Sequence, residues 1–135
     1  MAHLHPDGRS ALYTGTKPDG TPLKPNGIAL CRDGSFLIAD LGADTGGVFR
    51  LHRDGRVETI LDQLDGTPLP PTNFATQDRD GRIWVTVSTR LVPRALGYRK
   101  TCSDGFVVLI DDRGPRIVAD GLGYTNECAI DSQQR

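Results

Sequence analysis

A phrase that opens on Asn and closes on a tight turn recurs along this chain, and it limits what the chain can fold into. It reads NGIALCRDG from Asn26 to Gly34, then NFATQDRDG from Asn73 to Gly81, and starts a third time as NECAIDSQQ at Asn126. The intervals are about 50 residues, the length at which several short strands form one blade of a propeller. Each complete copy divides into four strand-like runs. The first copy gives Gly27–Leu30, Ser35–Asp40, Gly47–His52 and Val57–Leu61, and the second gives Phe74–Gln77, Arg82–Val87, Gly105–Ile110 and Arg116–Ala119. Asp33-Gly34, Asp54-Gly55 and Asp80-Gly81 supply the positive backbone angles that hairpins require. No stretch sustains a helical period.

The expectation is an all-β fold, a partial β-propeller of about two four-stranded blades with parts of two flanking ones. The blade repeats run over 26–72 and 73–125 of a single incomplete domain, 1–135. Residues 10–25 read as the end of a preceding blade, with a strand near Ala11–Thr16 and a turn at Pro18-Asp19-Gly20. Residues 126–135 read as the start of a following one. Met1–Arg9, carrying His3 and His5, reads as a frayed end. Phe36, Val48, Trp84 and Val107 alternate with polar neighbours and read as core between blades. Blades are stable by stacking on each other, so a chain with both ends cut would be a truncated form, prone to self-association through exposed blade edges.

Charge excludes some functions. The 16 Lys and Arg balance 17 Asp and Glu, for a net charge of -1, so nothing draws the chain to nucleic acid or to an anionic membrane. The longest apolar run, Phe106–Ile110, falls far short of the ~20 residues that a membrane span needs. Cys31, Cys102 and Cys128 contain no C-x-x-C pair and read as reduced thiols of a cytoplasmic protein.

The two copies differ in one place. Between Val87 and Gly105 the second is about a dozen residues longer, and long loops inside compact repeats usually carry function. Arg90, Arg94, Tyr98, Arg99 and Lys100 lie there, the one basic stretch of the chain. They suit a carboxylated or phosphorylated ligand, and solvated surface is the competing reading. Ser88 and Thr89 have no His–Asp partner in the sequence pattern, which argues against a serine-hydrolase triad.

The phrases PNGIAL at Pro25, DRDGRIWV at Asp78 and DGLGYTNE at Asp120 resemble the senescence-marker/gluconolactonase/regucalcin family over residues 24–135. The resemblance implies a six-bladed propeller with a divalent cation on its axis that hydrolyses sugar lactones or related esters. Calcium is the first candidate for that cation, with magnesium, zinc or manganese as the others. Asn126 matches the family's metal-binding Asn, and Asn73 matches the Asn that faces substrate and metal-bound water. The remaining metal ligands and the general base are expected outside this stretch. Pro71 and Phe74 stand where some members carry an Arg and an acidic residue.

In such a propeller the leading residue of each innermost strand faces the axis, so Asn26, Asn73 and Asn126 converge. An amide oxygen is a neutral hard ligand, suited to such a cation when carboxylates supply the charge. Plainer readings stand beside these: a turn for Asn26 before Gly27, a loop cap for Asn73, an ordinary surface position for Glu127. The expected site is therefore Asn73, Arg94, Tyr98 and Arg99 for a lactone or ester substrate, and Asn126 with Asn73 for the metal. The alternative is a propeller-type module that binds a ligand or protein without catalysis.

Overall fold

A computed structural model describes residues 1–131 and 133. Positions 132, 134 and 135, at the end of the third repeat phrase, lie outside the described residues. The described chain is all-β apart from one short 3-10 turn, and its strands form four antiparallel sheets.

The chain opens with a hairpin of β1 (Ala2–Leu4) and β2 (Ser10–Leu12). This N-terminal stretch is therefore paired rather than frayed: His3 lies opposite Ala11, and the His3 and His5 rings stack at 4.4 Å. The reason is a local turn, in which Gly8 takes φ 85° and the Asp7 carboxylate accepts from the Arg9 amide at 3.1 Å.

The first repeat forms a meander of β3 (Pro25–Leu30), β4 (Phe36–Asp40), β5 (Gly47–Leu51) and β6 (Val57–Leu61). A small hairpin, β7 (Gln63–Leu64) and β8 (Thr67–Pro68), leads to the second repeat. That repeat is a meander of β9 (Thr72–Gln77), β10 (Ile83–Val87), β11 (Gly105–Asp111) and β12 (Gly114–Leu122). The expected strands are all present, but β12 extends at both ends because its backbone pairs with β11 along its whole length, from Asp111–Gly114 to Gly105–Leu122. The third phrase forms no strand over Thr125–Asp131.

The same device builds several hairpins. Asp33, Asp54, Asp78 and Asp111 each accept a hydrogen bond from the backbone amide two residues on, at 2.9–3.0 Å. Asp78 goes further. Its buried carboxylate also accepts from the Arg82 amide at 2.9 Å, Arg82 Nε at 2.6 Å and Trp84 Nε1 at 3.0 Å. Burial pushes the Asp78 carboxyl up, but these hydrogen bonds outweigh it and hold it below the usual range.

Strand alternation sends each face of the first meander to a different partner. Leu37, Ala39 and Val48 pack with Ala75, Val85, Val87 and Val108 of the second meander in one continuous core. Fully burying a Val or Leu contributes about 1.5–3 kcal/mol, so this inter-sheet contact dominates the fold. Phe36, Ile38 and Leu51 point the other way, where Met1, Tyr13, Leu23 and Val57 cover them.

Candidate functional site at the head of the repeats

In both meanders the leading Asn coincides with a break in register. Thr72 pairs with Val87 and Phe74 with Thr86, which leaves Asn73 as the extra residue of a bulge in β9. In β3 the equivalent shift falls between Pro25 and Ile28, around Asn26. A bulge re-aims the side chain of the inserted residue, and here it turns the two amides toward each other.

The three repeat-heading Asn residues form a directional ladder. Asn26 Nδ2 donates to the backbone oxygen and to Oδ1 of Asn73, both at 2.9 Å. Asn73 Nδ2 repeats the move one repeat on, donating to the Asn126 backbone oxygen at 2.8 Å and to its Oδ1 at 2.6 Å. The Thr86 hydroxyl also donates to the Asn126 backbone oxygen. Asn73 is buried at 3 % exposure, while Asn26 and Asn126 are exposed.

Gly27 makes this approach feasible. A Cβ there would lie 2.6 Å from Phe74 Cα and 2.7 Å from the Asn73 backbone oxygen. Gly27 therefore serves a close strand-to-strand approach inside β3, not a turn.

The long loop delivers a cation onto the ladder. Arg94, at the start of the 3-10 turn Arg94–Gly97, donates through Nη2 to Asn73 Oδ1 at 3.1 Å and to Ser88 Oγ at 3.3 Å. Its Nε donates to the Tyr124 hydroxyl at 3.0 Å. Tyr98, 71 % exposed, stacks on Tyr124 with ring centroids 4.3 Å apart. Burial, together with the Tyr98 hydroxyl, holds the Tyr124 phenol above its ordinary value against the pull of Arg94, so it stays neutral.

Of the residues expected to bind substrate, Asn73, Arg94 and Tyr98 are thus brought together. Arg99 is exposed and lines a hollow together with Tyr98 and Tyr124. Arg90 is committed elsewhere: it clamps Asp120 at 2.8 and 2.9 Å and lies over the Phe106 ring at 4.3 Å. Sequence reasoning gave Tyr124 no role, although it lies two residues before Asn126 in the phrase DGLGYTNE.

The described donors alone do not make up a complete hard-cation site. Asn73 Oδ1 already accepts from Asn26 and from Arg94, which takes both lone pairs and places a positive group on the oxygen. Asn126 Oδ1 keeps one lone pair free. Among the described residues no three His, Cys, Asp or Glu gather where they could hold one ion. Calcium or magnesium needs several oxygens with carboxylate charge, and these residues do not supply them. Ser88 likewise has Arg94, not a His or a carboxylate, as its side-chain partner.

Two stacked four-stranded meanders with their leading residues joined at one edge define a propeller-like all-β class. No family model and no curated protein matches the chain. Among solved structures, one described as "the putative gluconolactonase in protein family" aligns with a TM-score of 0.58 at 19% sequence identity, over 84% of this chain. The likeness is one of fold, and this chain spans 39% of that structure's length.

Proposed function

We propose that this chain forms part of the ligand-facing wall of a six-bladed propeller hydrolase acting on sugar lactones or related esters. The observation that carries the reading is the Asn26–Asn73–Asn126 ladder with Arg94 seated on its middle rung, in a fold shared with a gluconolactonase-like structure. Exposed Asn126, held by buried Asn73, would offer a polyhydroxylated ring an amide partner, and the exposed face of Tyr98 would offer it an apolar wall. Arg94 would stabilise negative charge developing on a lactone carbonyl oxygen, the role of a preorganised donor in acyl transfer. Tyr98 and Arg99 would contact the outer part of the ligand.

No carboxylate or His is a hydrogen-bond partner of Asn73, Asn126, Arg94, Ser88 or Tyr124 among the described residues, and this favours a second reading. In it the same wall binds its ligand without turning it over. Titrating the chain with D-glucono-1,5-lactone separates the two when binding is followed by NMR and acid release by a pH indicator. Shifts at Asn73 and Asn126 with acid release above the spontaneous rate support the hydrolase. Shifts without acid release support the binding module, and no shifts at all defeat both.

A further inference from the structure

Arg94 is a half-buried guanidinium with no carboxylate on it. Its three acceptors, Asn73 Oδ1, Ser88 Oγ and the Tyr124 hydroxyl, are all neutral. Elsewhere the half-buried arginines pair with aspartates, as Arg50 does with Asp33, Arg82 with Asp78 and Arg116 with Asp111. Arg94 Nη1 donates to none of the described residues. Arg94 is partly exposed. Tyr124 also lines a hollow of about 410 Å³ with Tyr98, Arg99, Lys100 and Ser103, which Arg94 itself does not line. Arg99 and Lys100 are exposed there and form no ion pair among the described residues.

We propose that Arg99 and Lys100 in this hollow, together with Arg94 held on the Tyr124 hydroxyl, form an oxyanion site, which takes the carboxylate or phosphate of a sugar-sized molecule whose ring lies along the Tyr98–Tyr124 pair. The proposal rests on the reading of the Arg94 cluster as a ligand site and names the charge of the ligand. A guanidinium bonded only to neutral groups has no counter-charge, and a bound oxyanion supplies one through ion-paired hydrogen bonds. A divalent cation would instead compete with Arg94 for Asn73 Oδ1, so the site favours the opposite sign of charge.

The test is calorimetric titration of the chain with D-glucuronate, D-glucose 6-phosphate and D-glucose. One of the two anions should bind at least about tenfold more tightly than D-glucose, with an affinity that falls as salt rises. A preference for glucuronate identifies a carboxylate, and a preference for glucose 6-phosphate identifies a phosphate ester. Arg94→Gln should weaken the anion about tenfold or more, while Arg32→Gln, on a distant exposed turn, should leave it unchanged. If Arg94→Gln does not fold, the Arg99→Gln, Lys100→Gln double variant should weaken the anion and spare D-glucose. Equal binding of all three sugars, or none by any, overturns the proposal. Lactone hydrolysis without anion preference would defeat this inference alone, and anion binding without hydrolysis would defeat only the hydrolase.

Discussion

Arg94 Nη2 lies 3.1 Å from Asn73 Oδ1, so a loop cation occupies the oxygen that the repeat pattern offers toward the axis. The same oxygen accepts from Asn26 in the preceding repeat, and the same side chain donates to Asn126 in the following one. Asn73 is therefore the one residue that ties the loop to all three repeat heads.

Asn73→Ala removes the middle rung at a buried position. A net hydrogen bond contributes about 1 kcal/mol and an unsatisfied buried group costs about 1–3, so the loss should be about 2–3 kcal/mol. Urea denaturation checks this as a lower midpoint with an unchanged slope. A change below about 0.5 kcal/mol would mean that water replaces the ladder at no cost.

Gly27→Ala places a methyl group against Phe74 Cα and the Asn73 backbone oxygen, both part of the β9 main chain and unable to rotate away. Overpacking of this kind costs about 1–3 kcal/mol. The thermal midpoint should fall, and the Asn26 side-chain amide NMR signals should shift as the ladder opens.

Acid should destabilise the chain through its turn carboxylates. The Ser35 hydroxyl and amide hold Asp33 below the usual range, the Arg56 amide does so for Asp54, and the Arg116 guanidinium for Asp111. Asp78 is lowered as well. A carboxyl more acidic in the folded than in the unfolded chain binds fewer protons when folded. Its contribution is therefore fully present above the unfolded value near about 3.9 and is lost as pH falls through the folded one. Stability measured by urea should be flat from neutral pH to about pH 5 and decline below about pH 4. Asp78→Asn should flatten part of that decline and cost about 2–3 kcal/mol at neutral pH, since it weakens charge-assisted bonds to a buried acceptor.

Calcium at millimolar concentration should leave the thermal midpoint within about 1 °C of its value in chelator, because tight binding to the folded state would raise it. A larger rise would show that the folded chain binds the ion.

The repeat was legible in the sequence because its marks are local: Asn at the head, Asp-Gly at the turn, alternation between. Those marks located all eight strands of the two meanders, and the ends that moved are those fixed by pairing, such as Gly114 and Leu122 of β12. The strand expected near Ala11–Thr16 is the shorter β2, and its partner β1 escaped notice because three-residue strands around Asp7-Gly8 carry too little pattern. That the three Asn heads converge followed from the repeat. The path of Arg94 to Asn73, and that of Arg90 to Asp120, did not, since a loop side chain chooses among acceptors that only the folded chain brings near. Gly27 looked like half of a turn because the Asn-Gly pair is a local signal, whereas its need for space comes from a strand in another repeat.

The Asn ladder also sets the step by which a molecule like this can change. Asn73 gives its amide hydrogens to the next repeat and takes those of the one before on its oxygens, so both halves of the contact would travel together when such a unit is copied. Tandem duplication of one repeat inserts a rung already complementary to both neighbours, while a point change at a single Asn unties two. Growth by copying a segment is thus conservative along the ladder where a single-residue change is disruptive, and the two repeats differ instead in their loops, as the one carrying Arg94 shows.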